Sequence, residues 1–430
     1  MRNLTLLGKI TVINHLIVPK IIYPTQFLEI PKDFIKKFES IIFKFIWDSK
    51  DKIKRTTMIS DIRDGGLNLI DLDSKVRALK AMWISRILKD NADWTFFGKA
   101  YFSIFGPENL FLNFNFTECK HLPLIQKIPT FYQNTVLSFN KSKEVKIPTD
   151  LDDLLNQVVW GNIIFTQYNN KTKHEETLIF KNWINAGFYF VKSFKFINGV
   201  LDEQYIYDKI IDKRNIYCEI LSIKKVLSPY KYILRGLTQL PENNLLEDLK
   251  TISNSVTNER FQGKLLYKHI LQNKTTPPYQ ERVWLQILNV NTIDFANLYI
   301  RKIKLMPDKK LAEFNFKVLH LILACGLNLN RWGKVENKLC RICKVTHDIP
   351  HLLFYCTKAI TVWKMIGDIF KCDITLTDVI ITEMDKPMCL LISLIGYLIY
   401  KDWLTNSMKE NWQYNDSVLF IKYELEKLKC

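Results

Sequence analysis

Apolar residues recur at helical spacing along most of this chain. One clear segment follows Pro31, a residue suited to a first helical position. Its apolar positions are three or four residues apart and comprise Phe34, Ile35, Phe38, Ile42, Phe45 and Ile46. Lys36, Lys37 and Lys44 fall on the opposite side. The pattern predicts an amphipathic helix with a basic outer face.

A second helix is predicted after Gly65 and Gly66, which break the chain. Asp73 or Ser74 can cap its N-terminus. Its predicted buried face consists of Val76, Leu79, Trp83 and Ile87, and its other sides carry Lys75, Arg77, Lys80, Arg86 and Lys89. The predicted helix therefore buries one apolar face and presents basic side chains elsewhere.

The last third of the chain has the most regular pattern. Asp308 can cap a helix whose apolar positions step by three and four residues, and Gly326 suits its C-terminal turn. Those apolar positions are Leu311, Phe314, Val318, Leu321 and Cys325. Another helical pattern opens at His351. The apolar run at 388–400 is shorter than the roughly 20 residues that cross a bilayer, so it predicts a buried helix and no membrane partner.

These patterns predict a mainly α fold. A chain of 430 residues exceeds what one hydrophobic core usually organises. Prolines 107, 123, 129 and 148 punctuate a predicted irregular connector, and helical patterns return later at 180–190 and 261–271, with Pro277 and Pro278 as a linker. The predicted segments are a helical bundle at 1–92, the connector at 93–175, a helical middle region at 176–300 and a helical domain at 301–430.

Positive charge is concentrated in two basic stretches of the chain. The formal net charge is +17 and the sequence pI is about 9.3. Residues 1–60 hold 11 Lys/Arg against 5 Asp/Glu, and residues 301–345 hold 11 against 3. These two stretches therefore carry +6 and +8 of the total. Such basic patches favour an anionic partner, nucleic acid first, although charged runs are often only solvated surface.

Four residues of scarce type have the spacing C-x2-C-x7-H-x4-C: Cys340, Cys343, His351 and Cys356. Three thiolates and an imidazole make a closed tetrahedral set for a structural Zn2+ ion. His347 is a competing ligand, but its loop from Cys343 would be cramped. The alternative is unpaired core thiols, which the polar neighbours of Cys340 disfavour. The odd count of nine cysteines and the absence of an export signal indicate free thiols and an intracellular location, in the nucleus or cytoplasm.

No catalytic centre can be identified from the residues. The adjacent Asp152 and Asp153 resemble the acidic first turn of a helix more than a two-metal site. His174, Glu175 and Glu176 lack the second histidine of a metalloprotease helix, and the chain has neither a phosphate-binding glycine loop nor a G-x-S-x-G motif.

Several segments resemble, in order and separation, the thumb of the reverse transcriptase of LINE-type (non-LTR) retrotransposons. They are LLGKITVINHLIVPKIIY at 6–23, IFKFIW at 42–47, GGLNLID at 65–71 and ALKAMW at 78–83. Weaker landmarks of the region after the thumb are WGN at 160–162, WINAG at 183–187 and LY at 266–267. The segment from Cys340 to Cys356, followed by Trp363, is similar to the zinc-binding segment near the end of those polyproteins.

The resemblance implies a nucleic-acid-binding C-terminal fragment with a thumb-like bundle at 1–92. In that family the catalytic aspartates lie in a palm upstream of the thumb, so no enzyme activity is expected of this chain alone. The implied partners are RNA, an RNA–DNA duplex and an upstream palm domain. Two alternatives stay open: the C-terminal part of a longer active RNA-directed DNA polymerase, and a protein-interaction remnant without specific nucleic-acid binding.

The resemblance also implies which side chains contact phosphate. Thumb helices follow the primer–template duplex through lysine and arginine. The N-terminal candidates are Lys9, Lys20, Lys36, Lys37, Lys44, Lys52, Lys54 and Arg55. The candidates around the predicted metal site are Arg331, Trp332, Lys334, Lys338, Arg341 and Lys344. Trp332 could stack on a base of single-stranded RNA or pack beneath the metal-binding loop.

Overall fold

The fold is mainly helical, as predicted, with two small two-stranded sheets among the residues that the structure describes. The structure is a computed structural model that describes residues 4–48, 50–89, 92–103, 123–142, 147–170, 173–235, 263–381 and 386–406, and residues 419, 421 and 423. The chain forms two compact units. Unit 1 comprises residues 1–19, 33–71 and 274–430, and unit 2 comprises residues 20–32 and 72–273. The division into four consecutive segments stays a prediction.

Unit 1 takes helices from both ends of the chain. Its N-terminal elements are α1 (Leu6–Val12), a π-helical turn (Ile13–Ile17), α3 (Lys32–Trp47), α4 (Arg55–Ile59) and a 3-10 turn (Ile62–Asp64). The helix α2 (Val18–Thr25) spans the unit boundary. The C-terminal helices of unit 1 are α15 (Tyr279–Leu288), α16 (Phe295–Tyr299), α17 (Lys309–Leu319), α18 (Gly326–Arg331), α19 (Thr357–Phe370), α20 (Leu376–Ile380) and α21 (Lys386–Asn406). Unit 1 also has π-helical turns at Ile300–Lys304 and His351–Tyr355.

Unit 2 holds the middle of the chain. Its helices are α5 (Leu72–Lys89), α6 (Thr95–Phe102), α7 (Pro123–Gln126), α8 (Thr130–Ser142), α9 (Leu151–Leu155), α10 (Lys181–Asn185), α11 (Glu203–Lys209), α12 (Ile216–Leu227), α13 (Lys231–Leu234) and α14 (Gly263–Gln272), with 3-10 turns at Val191–Ser193 and Ser228–Tyr230. Its antiparallel hairpins pair β1 (Thr166–Asn169) with β2 (His174–Thr177), and β3 (Phe196–Ile197) with β4 (Val200–Leu201).

Helix α3 exists as predicted, but its buried face differs. Ile42, Phe43, Ile46 and Trp47 are buried in its second half. Phe34 and Phe45, which the pattern placed on the buried side, are 45% and 38% exposed. The spacing was correct, but the end of the helix rather than its whole length supplies the core contacts.

Gly65 and Gly66 form the turn after α4, as their sequence predicted. Gly65 has φ of +76°, in the left-handed region that favours glycine. A Cβ atom on Gly66 would lie 2.0 Å from the carbonyl oxygen of Ser60. The turn therefore requires glycine at Gly66 for space and at Gly65 for backbone conformation.

Unit 2 is built around buried aromatic rings. Trp160 and Trp183 are fully buried, with ring centres 6.2 Å apart. The indole N–H of Trp183 donates to Glu219 at 2.7 Å, and that of Trp160 donates to the Phe188 carbonyl. The landmarks WGN and WINAG thus lie in one core, and each tryptophan's polar atom has a partner there.

Three local predictions in unit 2 differ from the structure. Lys80, placed on the polar side of α5, is only 7% exposed, and burial lowers its pKa. The described parts of the predicted irregular connector contain four helices, whereas residues 104–122, including Pro107, lie outside the described residues. The helical pattern at 180–190 yields only α10 before the chain turns toward a hairpin. Asp152 and Asp153 do occupy the first turn of α9, capped by Asp150.

The predicted helix after Asp308 ends earlier than its apolar pattern suggested. The Asp308 carboxylate accepts hydrogen bonds from the backbone N–H groups of Lys310 and Leu311, at 2.6 and 3.3 Å. Helix α17 ends at Leu319, and Leu321 has φ of +55°. Gly326 begins α18 and does not terminate the preceding helix. Leu321 and Cys325 therefore lie in a connection that the periodic pattern could not distinguish from helix.

Two helical stretches, 6–25 and 387–405, are long and apolar enough to cross a membrane by length and composition alone. Core helices of soluble proteins satisfy the same criteria. In α21 the residues Cys389, Ile392, Ile395, Leu398 and Ile399 are buried within the protein, in agreement with the buried helix predicted there.

A lysine is fully buried inside unit 1. Lys302 is 2% exposed, and its Nζ donates to the Val379 carbonyl and to Ser393 Oγ, both at 3.3 Å. Asn315 donates to the Lys302 carbonyl at 2.9 Å. Burial lowers the pKa of Lys302 from 10.5 to about 8. The ammonium form is therefore costly in the folded protein, because its partners are neutral.

We expect Gly66→Ala to lower the free energy of unfolding by about 2 to 3 kcal/mol, because its methyl group would collide with backbone atoms. Gly396→Ala in α21 is the matched control, since its Cβ would meet Phe314 at 3.6 Å, an ordinary contact distance. This control should be neutral or slightly stabilising. Denaturant titration followed by circular dichroism measures both, and equal effects would contradict the proposed collision.

Lys302 should make stability depend on pH. Between its folded pKa of about 8 and its ordinary value of 10.5, the unfolded chain binds more protons than the folded protein. Stability should therefore rise with pH across this window, by up to about 3 kcal/mol. The free energy of unfolding of Lys302→Met should not rise across this pH window. Superimposable pH profiles of the variant and the unmodified protein would show that Lys302 does not cause the pH dependence.

Candidate metal centre

A short hairpin after α18 positions the first two cysteines. Leu339 and Thr346 form an antiparallel bridge, and the backbone N–H of Cys340 donates to the Val345 carbonyl at 2.8 Å. The N–H of Lys344 donates to the Cys340 carbonyl at 3.0 Å, and Lys344 has φ of +57°. The C-x2-C spacing thus forms a tight turn that brings both sulfur atoms to one side.

The start of α19 positions the other two ligands. Asp348 accepts a hydrogen bond from the backbone N–H of His351 at 2.8 Å, at the beginning of the π-helical turn His351–Tyr355. Cys356 is the residue that precedes the first turn of α19. Its sulfur therefore lies at the helix N-terminus, where the helix dipole favours a thiolate.

The four side chains come together as the sequence predicted. The ligand atoms of Cys340, Cys343, His351 and Cys356 all lie within 4.8 Å of one another and could hold a metal ion. Cys356 Sγ is 4.0 Å from Cys340 Sγ and 3.9 Å from Cys343 Sγ. His351 is 6% exposed, and its buried Nε2 atom has no hydrogen-bond partner. A metal ion would satisfy this nitrogen, so the donor set fits such an ion.

The thiols of Cys340 and Cys356 lie 4.0 Å apart and have opposite pKa shifts. A hydrogen bond from Cys356 lowers the pKa of the Cys340 thiol well below its ordinary value, despite burial. The same contact raises the pKa of Cys356. A bound cation would lower the pKa of Cys356, because metal ligation requires the thiolate form.

His347 has a different role from the one considered in the sequence. The backbone N–H of Gly326 donates to His347 Nδ1 at 2.9 Å, and the His347 ring lies 5.0 Å from the Trp403 ring. A Cβ atom on Gly326 would lie 2.9 Å from the His347 Cβ. His347 therefore fastens the ligand-bearing loop to α18 and α21, a role that only long-range packing reveals.

No protein-family model matches this chain, nor does any curated protein. The four ligands and the basic side chains around them are therefore the observations from which a function can be proposed.

The N-terminal basic candidates occupy different settings. Lys20 is exposed on α2 in unit 2, whereas all the others belong to unit 1. The exposed side chains are Lys36, Lys37, Lys44, Lys54 and Arg55. Arg55 is paired with Asp51 at 2.8 Å. Lys9 is mostly buried, and its Nζ donates to Asp48 at 2.8 Å and to the Ile46 carbonyl at 3.1 Å. Lys9 thus stabilises the end of α3.

The candidates near the metal cluster all belong to unit 1 and surround the hairpin. Arg331, Lys334, Lys338, Arg341 and Lys344 are exposed. Trp332 is partly buried, and its ring centre lies 4.2 Å from Lys52 Nζ. The sequence could not reveal this contact between the two basic stretches. It also did not single out Lys317, whose charge acts on Lys52.

We expect the purified protein to contain close to one metal ion per chain, because four ligand atoms converge on one point. Cys340→Ser should lose the metal, since a hydroxyl is a poor substitute for a thiolate. Cys218→Ser is the control, because Cys218 is an exposed free thiol outside the cluster. Elemental analysis by mass spectrometry measures the content, and equal metal in the two variants would refute the assignment.

Proposed function

We propose that the metal is Zn2+ and that its role is structural. Four ligands at tetrahedral corners about 2.3 Å from Zn2+ lie about 3.8 Å apart. The sulfur–sulfur distances of 4.0 and 3.9 Å are close to this value. Three cysteines and one histidine are a typical structural zinc set and leave no coordination position for a substrate. The ion would fix the hairpin to the start of α19.

We propose that the protein binds single-stranded RNA, and that it corresponds to the C-terminal part of a LINE-type reverse transcriptase. One observation chiefly supports the binding function. The metal cluster and every candidate basic residue except Lys20 belong to the same compact unit, although the chain between the two basic stretches forms much of the other. The fold thereby joins the two basic stretches of the sequence in the unit that holds the metal cluster.

The proposed binding is mainly electrostatic. Exposed lysines and arginines attract the phosphate backbone and release its counterions, which gives affinity with little sequence preference. The zinc-fixed hairpin would hold Lys338, Arg341 and Lys344 in a defined arrangement, so less conformational entropy is lost on binding. RNA–DNA duplexes present the same phosphates and are proposed as second partners. The proposed location is intracellular, in the nucleus or cytoplasm.

In this proposal the chain has no enzyme activity by itself, and polymerase chemistry would need an upstream palm domain. A polymerase assay on a longer protein that contains this chain tests that relation. The basic surface would then serve to hold template and primer and not to perform chemistry.

RNA binding should weaken steeply with salt. Each phosphate contact adds about 0.7 to the magnitude of the log–log slope for a single strand. We expect the triple variant Lys334→Ala/Lys338→Ala/Lys344→Ala to bind a labelled oligouridylate at least tenfold more weakly and to reduce the slope by about 2. Fluorescence anisotropy over a range of salt concentrations provides both values.

The matched control removes three exposed lysines outside the two basic stretches: Lys225, Lys268 and Lys364. This control lowers the net charge by the same amount as the first triple variant. If RNA binds to the basic surface around the metal cluster, the control should lose little affinity. Equal losses in both triple variants, or a flat salt response of the unmodified protein, would contradict the proposed function. Both variants should retain their metal.

A further inference from the structure

The ammonium group of Lys52 lies close to two tryptophan rings. Its Nζ lies 4.2 Å from the ring centre of Trp332 and 5.8 Å from that of Trp47. Lys52 lies in the polar segment between α3 and α4, whereas Trp332 follows α18. Among the described residues, no carboxylate lies within ion-pair distance of Lys52. The aromatic faces stabilise the cation but leave its charge unneutralised.

Two of the lysines whose charges act on Lys52, Lys9 and Lys317, have carboxylate partners of their own. Asp48 binds Lys9 at 2.8 Å, and Glu313 binds Lys317 at 2.6 Å. Glu313 also accepts a hydrogen bond from the backbone N–H of Leu6 at 3.0 Å. These two carboxylates therefore have ion-pair partners other than Lys52.

Several lysines act electrostatically on this position. Burial lowers the pKa of Lys52, and the charges of Lys317, Lys334 and Lys9 lower it further, against an opposing effect of Asp48. Lys334 is exposed and follows Trp332 by two residues. An anion that approached Lys52 and Lys334 would relieve repulsion between cations that the folded protein holds close together.

We propose that Lys52 is the central cation of a phosphate-binding site, that Lys334 lies at its rim, and that the ligand is a backbone phosphate of single-stranded RNA. This inference rests on the proposed RNA-binding function. It adds a specific point at which the two basic stretches would act on the same phosphate. A general basic surface does not require such a point.

The site also assigns a role to Trp332. One face of its ring is covered by the Lys52 ammonium group, so that face does not receive a nucleobase. Trp332 is a positioning residue that holds Lys52 in place. Trp332→Phe, which retains an aromatic face, should therefore preserve the salt slope of RNA binding. Trp332→Leu should reduce the slope as Lys52→Met does.

Lys52→Met is the central test, because methionine retains the apolar contact with both rings and removes only the charge. We expect about tenfold weaker binding of a labelled oligouridylate and a salt slope smaller by about 0.7. Lys364→Met is the control, an exposed lysine of unit 1 outside both basic stretches. The melting temperature of Lys52→Met should be unchanged or higher, since an unneutralised charge is removed.

The outcomes separate this site from the general proposal. If the unmodified protein binds RNA with a steep salt slope but Lys52→Met matches Lys364→Met, the Lys52 site is wrong and the proposed function stands. A flat salt response of the unmodified protein contradicts the proposed function itself. If Lys52→Met does not fold, Lys52→Gln supplies the test, with the same expected loss and the same contradicting result.

Discussion

The meeting of four ligand atoms from two short elements is the constraint on which the C-terminal part of unit 1 depends. The hairpin that carries Cys340 and Cys343 exposes its apolar side chains, since Leu339, Ile342 and Val345 are 41%, 49% and 50% exposed. It therefore gains little from hydrophobic burial. Ligation can replace that burial, because metal binding to a folded site contributes directly to folding. His347 and Asp348 act with it, because His347 accepts a hydrogen bond from Gly326 and Asp348 accepts one from His351.

Cations of unit 1 are held in more than one way. Lys9, Arg55 and Lys317 each have a carboxylate partner. Lys302 is buried among neutral groups, and Lys52 is held by aromatic rings. Lys302 lies deep in the core, where no large ligand can reach it, whereas Lys52 adjoins exposed lysines. The absence of a carboxylate partner among the described residues therefore affects only stability at Lys302, whereas at Lys52 it leaves a cation that a ligand can reach.

The helical character of the fold and the membership of the metal cluster could be predicted from the sequence. Both depend on local spacing, which a single chain displays directly. The buried face of α3, the burial of Lys80 and the end of α17 could not be predicted, because tertiary packing decides them. The contact of Lys52 with Trp332 joins residues far apart in the chain, and no periodic pattern encodes such a pair. His347 shows the same limit at the metal site, since its partner is a distant backbone N–H group.

The discontinuous path of unit 1 has a consequence for biosynthesis. Residues 33–71 belong to the same unit as residues 274–430, while residues 72–273 form most of the other unit. A ribosome therefore synthesises all of unit 2 before it makes the C-terminal part of unit 1. Until then the backbone N–H of Leu6 lacks its acceptor Glu313, and the turn at Gly65 lacks the Tyr299 ring that lies against it. The N-terminal helices are thus among the first segments made and the last to reach their final environment.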